Sequence, residues 1–238
     1  MASATWSRML FVVFAVLCLL TTGCMTRYDV GVTSYLADDV PFPTASKDTK
    51  IAVVTGSYPE EPLLEKEVKR KIEYLVAQRG YGIGSVEEAD YILSAFFAID
   101  DGTTKTGTRA VHHSGGTSRT QIYTSSGQWA TATTRHPGYT TYQPYSYTYF
   151  ARYLGINLYE RDRWVRSREE DSADAIAWRA RTVSSGSSSD LRSAIDYLLV
   201  PTFERFGEDT GKRKRIALRE GDKRVKELRE SYRQQPLR

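Results

Sequence analysis

Three histidines, His112, His113 and His136, are the first residues to weigh for catalysis or metal binding. A neutral imidazole can ligate zinc or take a proton near neutral pH. A structural zinc site draws on about four ligands at regular spacing, and only Asp100 and Asp101 lie near these histidines in the chain. On an extended strand His112 and His113 would point to opposite sides. Exposed loop histidines are the expectation, and no metal or cofactor is assigned. Serine offers no better nucleophile. "SGGTS" and "SSGSSSD" have loop composition, and neither makes the Gly-x-Ser-x-Gly elbow. "GYGIG", residues 80–84, has the glycines of a phosphate loop but lacks its Lys and following apolar helix, so it reads as a turn. Glu87, Glu88, Glu169, Glu170 and Asp171 read as solvated turn charges. With no carboxylate pair placed for acid–base work, no catalytic residue is expected.

The unusual chemistry is aromatic and cationic. Residues 102–159 contain no Asp or Glu but hold Lys105, Arg109, Arg119, Arg135 and Arg152. Half of the 16 tyrosines fall between Tyr123 and Tyr159. Tyrosine gives a large, stiff contact area with a polar tip, and arginine adds cation–π and bidentate contacts. Tyr145, Tyr147 and Tyr149 alternate, so one strand face could present all three. Tyr142, Tyr145, Tyr147, Tyr149, Arg135 and Arg152 are therefore the candidate ligand-binding residues. The chemistry suits a sugar polymer, an anionic glycan or a protein partner. The plainer account is that Tyr and Thr are simply good strand formers.

Cys24 ends the segment "LCLLTTGC". Residues 9–20 are apolar or small and uncharged. A membrane-crossing helix needs about 20 apolar residues, so this run is the length of a secretory signal's apolar stretch. Thr21, Thr22 and Gly23 then supply small side chains where a peptidase would cut. Residues 20–24 resemble the lipobox of bacterial lipoproteins, with Thr21 where the usual Leu stands. In that family the cysteine receives a diacylglyceryl group and becomes the mature N-terminus. Two acyl chains suffice for stable anchoring, at about 0.8 kcal/mol per buried CH₂. Met25, where an Asp would retain such a protein at the inner membrane, points to the outer membrane facing the periplasm. The only other cysteine, Cys18, lies inside the signal, so cleavage would leave no disulfide or cysteine metal site.

The elements that must position these residues follow from periodicity. Residues 24–48 read as a tether, with a short strand near 30–35. "KIAVVTG" reads as a buried strand, and "PEEPLLEKEVKRKIEYLVAQRG" as a helix with Leu64, Val68, Ile72, Leu75 and Val76 on one face. Residues 91–99 make a central strand. Residues 102–152 form a Tyr/Thr/Ser/Gly-rich insert of long hairpins or ordered loop, with a turn at 125–127. "YLGINLYERD" and "AIAWRARTVSSG" are paired strands. Asp190 or a nearby Ser caps a second helix with Leu191, Ile195, Leu198, Leu199, Phe203 and Phe206 as its stripe, and Pro201 should kink or divide it. Residues 211–238 hold 11 Lys or Arg against 4 Asp or Glu, a basic tail expected to be helical and solvated, or to touch anionic lipid.

These pieces predict an α+β fold: a mainly antiparallel sheet packed with two amphipathic helices, spanning 49–210 after a signal at 1–23. Their order resembles a family of bacterial lipoproteins that shares a domain of unknown function. "ADYIL", "YLGINLYERD" and "AIAWRA" match that family's strand motifs, with Ala180 in place of its usual Gly. The resemblance implies a lipid-anchored envelope domain and supplies no catalytic residues. The functional expectation is a non-enzymatic binding or structural module, held to a membrane through acylated Cys24. Its partner is an envelope polymer or protein, not nucleic acid. An alternative is a subunit of an oligomeric export or assembly complex. An envelope hydrolase would require a pocket gathering His112 or His136 with a carboxylate and a serine.

Overall fold

The computed structural model describes residues 27–167 and 173–234. The signal-like segment and Cys24 lie outside the described residues. The chain divides into two compact units. One comprises the described residues up to Asp101 together with Phe150 onward; the other is Gly102–Tyr149.

The first unit, the body, is α+β. Its strands are β1 (Arg27–Leu36), β2 (Lys50–Tyr58), β3 (Gly82–Ile83), β4 (Tyr91–Ile99), the 150–160 portion of β8 (Tyr139–Glu160), β9 (Ile176–Gly186) and β10 (Lys214–Arg219). They lie in the order β10-β1-β9-β8-β4-β2-β3. The pairings are antiparallel except β2 with β3 and β4, which are parallel. The chain crosses over through α1 (Pro62–Gln78) after β2, as parallel neighbours require. Three helices, α1, α3 (Leu191–Glu204) and α4 (Lys223–Gln234), pack against one another, and α1 and α3 also pack on the sheet. Strand alternation supplies the facing layer, with Val30, Val32, Ile51, Val53, Leu93, Phe97, Leu154, Ile156, Trp178 and Ala180 buried in one core. A small second cluster, Ile92, Tyr159 and Ile176, is joined by Trp164 of the short helix α2 (Arg161–Ser167).

Three segments differ from the sequence expectation. The described part of the 24–48 "tether" belongs to the body. β1 sits between β9 and β10, and Val30 is 1% exposed. Tyr28, Val30, Val32 and Ser34 alternate with Asp29, Gly31 and Thr33, which puts one face of the strand inside. Beyond it Val40 is buried, Phe42 packs edge-on to Phe206 at 5.4 Å, and Tyr81 Oη donates to the Pro43 carbonyl at 2.9 Å.

The basic tail is likewise part of the fold. Its first half is β10, paired with β1, and not helix. α4 buries Val225, Leu228 and Tyr232. Burying side chains of this size contributes about 1.5–3 kcal/mol each. Three such residues are enough to dock the helix on the body. Finally, Pro201 does not divide α3. It stands in the last turn, so the helix ends at Glu204 after losing one backbone donor there. Asp190 caps the other end, its carboxylate accepting from Ser193 N at 3.2 Å.

Candidate functional site

Two groupings of polar side chains stand out, one in each unit. In the second unit β5 (Thr103–His113) pairs with residues 139–149 of β8 through eleven register positions, from Thr103↔Tyr149 to His113↔Tyr139. β6 (Gly116–Tyr123) and β7 (Trp129–His136) form a further hairpin. Thr, Val and Tyr favour this extended backbone. The hairpin closes at residues 124–128, where Gln128 N donates to Thr124 Oγ1 and Gly127 takes a positive φ of 77°. Among the described residues neither two-stranded ribbon has a third strand on it, and nearly every side chain on both is exposed.

Register sorts the residues by face, since directly opposed residues point the same way. On the first ribbon one face carries Tyr139, Gln143, Tyr145, Tyr147 and Tyr149, opposite His113, Arg109, Gly107, Lys105 and Thr103. The His113 ring stacks on Tyr139 at 4.6 Å. Arg109 Nη2 lies 3.4 Å from Gln143 Oε1. The Lys105 ammonium stands 5.2 Å from the Tyr149 ring, and the Tyr145 and Tyr147 rings run near-parallel, 6.2 Å apart. Tyr145 reaches across the strand to lie over Gly107. A Cβ there would meet its Oη at 2.6 Å, so glycine makes the room. The other face is Thr104, Thr106, Thr108, Ala110 and His112 opposite Thr148, Ser146, Pro144, Tyr142 and Thr140.

The candidate tyrosines are therefore split. Tyr145 and Tyr147 are 49% and 51% exposed on one face with half-buried Tyr149, whereas Tyr142, 72% exposed, is on the other. Arg135 is exposed on β7. Arg152 is not in this unit. It is 1% exposed in the body, where one Nη donates to the Ser188 carbonyl while Nε and the other Nη have no hydrogen-bond partner among the described residues. Its guanidinium sits 5.9 Å from the Tyr28 ring, and burial lowers its pKa, with the Tyr28 and Asp190 charges working the other way. A cation so enclosed serves packing and is not a surface contact.

The histidines each meet a hydroxyl. His112 Nδ1 is 2.8 Å from Thr140 Oγ1, His113 Nε2 is 3.0 Å from Thr141 Oγ1, and His136 Nε2 is 3.1 Å from Ser118 Oγ. A hydroxyl beside an imidazole is part of a nucleophile–base pair. These rings, however, lie on solvated strands in a unit that contains no carboxylate to orient them. Among the described residues no three His, Cys, Asp or Glu side chains come together as a metal site.

The second grouping is an ion network where α1, α3 and α4 meet. Lys71 Nζ is 2.7 Å from Glu67 Oε1 and 2.6 Å from Asp196 Oδ1, and Lys71 and Asp196 are each only 1% exposed. The approach to Oδ1 lies off the line of a well-formed hydrogen bond, so attraction of charge dominates it. Arg229 Nε donates to Asp196 Oδ2 at 2.6 Å and its Nη2 to the Ser193 carbonyl at 2.8 Å. Arg192 pairs with Glu67 Oε2 at 2.7 Å, and Tyr232 Oη reaches Glu67 Oε1 at 3.3 Å. Burial opposes the Glu67 carboxylate, but hydrogen bonds and charge from Lys71 and Arg192 outweigh it and hold the group below its ordinary range. Arg229 is raised: burial works against its charge, and Asp196 overcomes that. With each carboxylate gripped by two cations, the network can fasten helices but has no free base to offer. Sequence reasoning missed it. The available signal was Lys71 set beside Val68, Ile72 and Leu75 on an apolar face, and Asp196 between Ile195 and Tyr197.

No family model and no curated protein matches the chain. Among solved structures, the chain is similar to PelC dodecamers from Paraburkholderia phytofirmans in two crystal forms. For one, a single-substitution variant, the identity is 16%, covering 72% of this chain and 93% of that one, with a TM-score of 0.35. For the other the identity is 14%, covering 72% and 94%, with a TM-score of 0.36.

Proposed function

We propose that the chain is a lipid-anchored lipoprotein of the bacterial cell envelope, acting as a non-enzymatic binding or structural module at the outer membrane. The anchor rests on the short apolar run and the small residues before Cys24. The recognition role rests on one observation: residues 102–149 form long two-stranded ribbons with both faces in solvent. Such ribbons bury little of their own surface, and a two-stranded hairpin is marginal by itself, so core packing does not explain them. A contact outside the chain does.

Two measurements test this. Mass spectrometry of protein isolated from the envelope should find a mature N-terminus at Cys24 carrying acyl chains; an unmodified thiol ends the anchored reading. Excision of 103–148 should change what the full chain retains from envelope extract, with the body still folded. An unchanged retention profile ends the recognition reading. The unpaired outer edges of β5, β6 and β7 favour a second reading, a subunit of an oligomeric envelope assembly, since an open edge is a template for another chain. Light scattering should then show oligomers of the intact chain that the excised chain does not form.

A further inference from the structure

Residues 102–149 hold Lys105, Arg109, Arg119 and Arg135 and no Asp or Glu. Among the described residues none of the four meets a carboxylate. Their distribution is sorted. On the β5–β8 ribbon both cations share the face of Tyr145, Tyr147 and Tyr149. On the β6–β7 hairpin Arg119 opposes Thr133 and Arg135 opposes Thr117, which puts both on the face where Tyr123 opposes Trp129, their rings 5.1 Å apart. The opposite faces carry no Lys or Arg: they are mostly Thr, Ser and Ala, with Tyr142, Pro144 and His112 on the one ribbon and Ile122 and His136 on the other.

From this sorting we infer that the cationic–aromatic faces bind an acidic polysaccharide, a deduction that rests on the recognition role proposed for the ribbons. Sugar rings stack on the tyrosines, while carboxylates along the polymer meet the uncompensated cations. The proposed export of the chain places the ribbons away from cellular nucleic acid, so an envelope polysaccharide is the acidic polymer within reach. A membrane surface fits less well, because Val111 and Ile122 are the only large aliphatic side chains in the unit, and insertion needs more apolar area.

The test is affinity electrophoresis of the full-length chain through native gels containing polygalacturonate, with dextran gels as the neutral control. Single-stranded oligothymidylate and phosphatidylglycerol vesicles serve as competitors. Polygalacturonate should retard the chain and dextran should not, and added salt should weaken the effect. Joint substitution of Tyr145→Ala, Tyr147→Ala and Tyr149→Ala, or of Lys105→Gln and Arg109→Gln, should weaken retention about tenfold or more. Tyr142→Ala, on the other face, should leave it unchanged. The inference falls if retardation is absent, if dextran matches polygalacturonate, if either competitor binds more tightly, or if Tyr142→Ala costs as much as the triple variant. Absent retardation combined with an excision that still alters envelope retention would overturn the ligand class alone. An excision without effect would remove the recognition role itself.

Discussion

Lys71 and Lys105 carry the same ammonium group and end in opposite circumstances. Lys71, in the body, is enclosed and meets two carboxylates within 2.7 Å. Lys105, in the ribbon, is exposed; its ammonium stands 5.2 Å from the Tyr149 ring and meets no carboxylate among the described residues. The sheet edges divide the same way. The body ends its sheet with the two-residue β3 and with β10, six residues bearing Lys214, Arg215 and Arg219, both of which discourage further pairing. The ribbons leave edges of eleven and eight residues open. The body encloses Lys71 between carboxylates and keeps its edges short or charged, although Arg152 remains only partly paired, whereas the ribbons leave cations without carboxylates and long edges open. That contrast, more than any single residue, is the ground for proposing a recognition role for residues 102–149.

The sharpest way to break the comparison is to remove the enclosed ammonium. Lys71→Met leaves Glu67 and Asp196 short of a partner inside the helical layer, although Arg192 and Arg229 still hold one oxygen of each. Losing one member of a buried ion pair costs about 3–5 kcal/mol, and the surviving partners place this substitution near the lower figure. Urea unfolding of the full chain should show it. Lys105→Met should change the same curve by less than about 0.5 kcal/mol. Equal losses would erase the distinction between the two units.

Next in size is Leu228→Ala on α4. If the tail helix is part of the body, this truncation costs about 2–5 kcal/mol, as for other buried leucines. A solvated helix would register almost nothing. A smaller effect is expected from pH. The folded Glu67 pKa lies below its unfolded value of about 4.3. The stability it contributes is therefore complete above that value and is lost as pH falls through the folded pKa. Glu73 has the opposite sign, since burial raises it and favours its neutral form in the folded chain. Urea midpoints followed from pH 6 downward should fall, and Glu67→Gln should flatten the fall. A profile unchanged by Glu67→Gln would show that the network contributes no pH dependence.

How much of this was legible in sequence depends on whether a residue's partner is near in the chain. α1, β4, β9 and the turn before β7 follow from period and from turn residues within a few positions. β1 shows a clear alternation over residues 28–34, but polar Asp29, Thr33 and Ser34 make it resemble a linker. Its burial comes from β9 and β10, some 150 and 180 residues on. The tail is similar. Its charge count suggests solvent, while Val225, Leu228 and Tyr232 are enough to dock it on α1 and α3. In the candidate site, alternation placed Tyr145, Tyr147 and Tyr149 on one face, as register shows. Tyr142 and Arg152 could be sorted only once the strand's partners were known. One opposes Ala110 on the far face, and the other opposes Ser184 under the helices.

The smallest expected effect on stability comes from a glycine. Gly107 lies beneath Tyr145, and an added Cβ would meet the ring's Oη and Cζ at 2.6 and 2.7 Å. These atoms are the free end of a half-exposed side chain, so Gly107→Ala can be accommodated by rotating the ring away. Strand propensity favours the Ala side chain over Gly. The urea midpoint should therefore move by no more than about 0.5 kcal/mol in free energy. The aromatic row is another matter, because Tyr145 can no longer lie across β5 beside Tyr147. Retardation in polygalacturonate gels should weaken severalfold while stability holds. If Gly107→Ala left retardation intact, the position of the Tyr145 ring would be irrelevant to binding, and the cations alone would have to account for it.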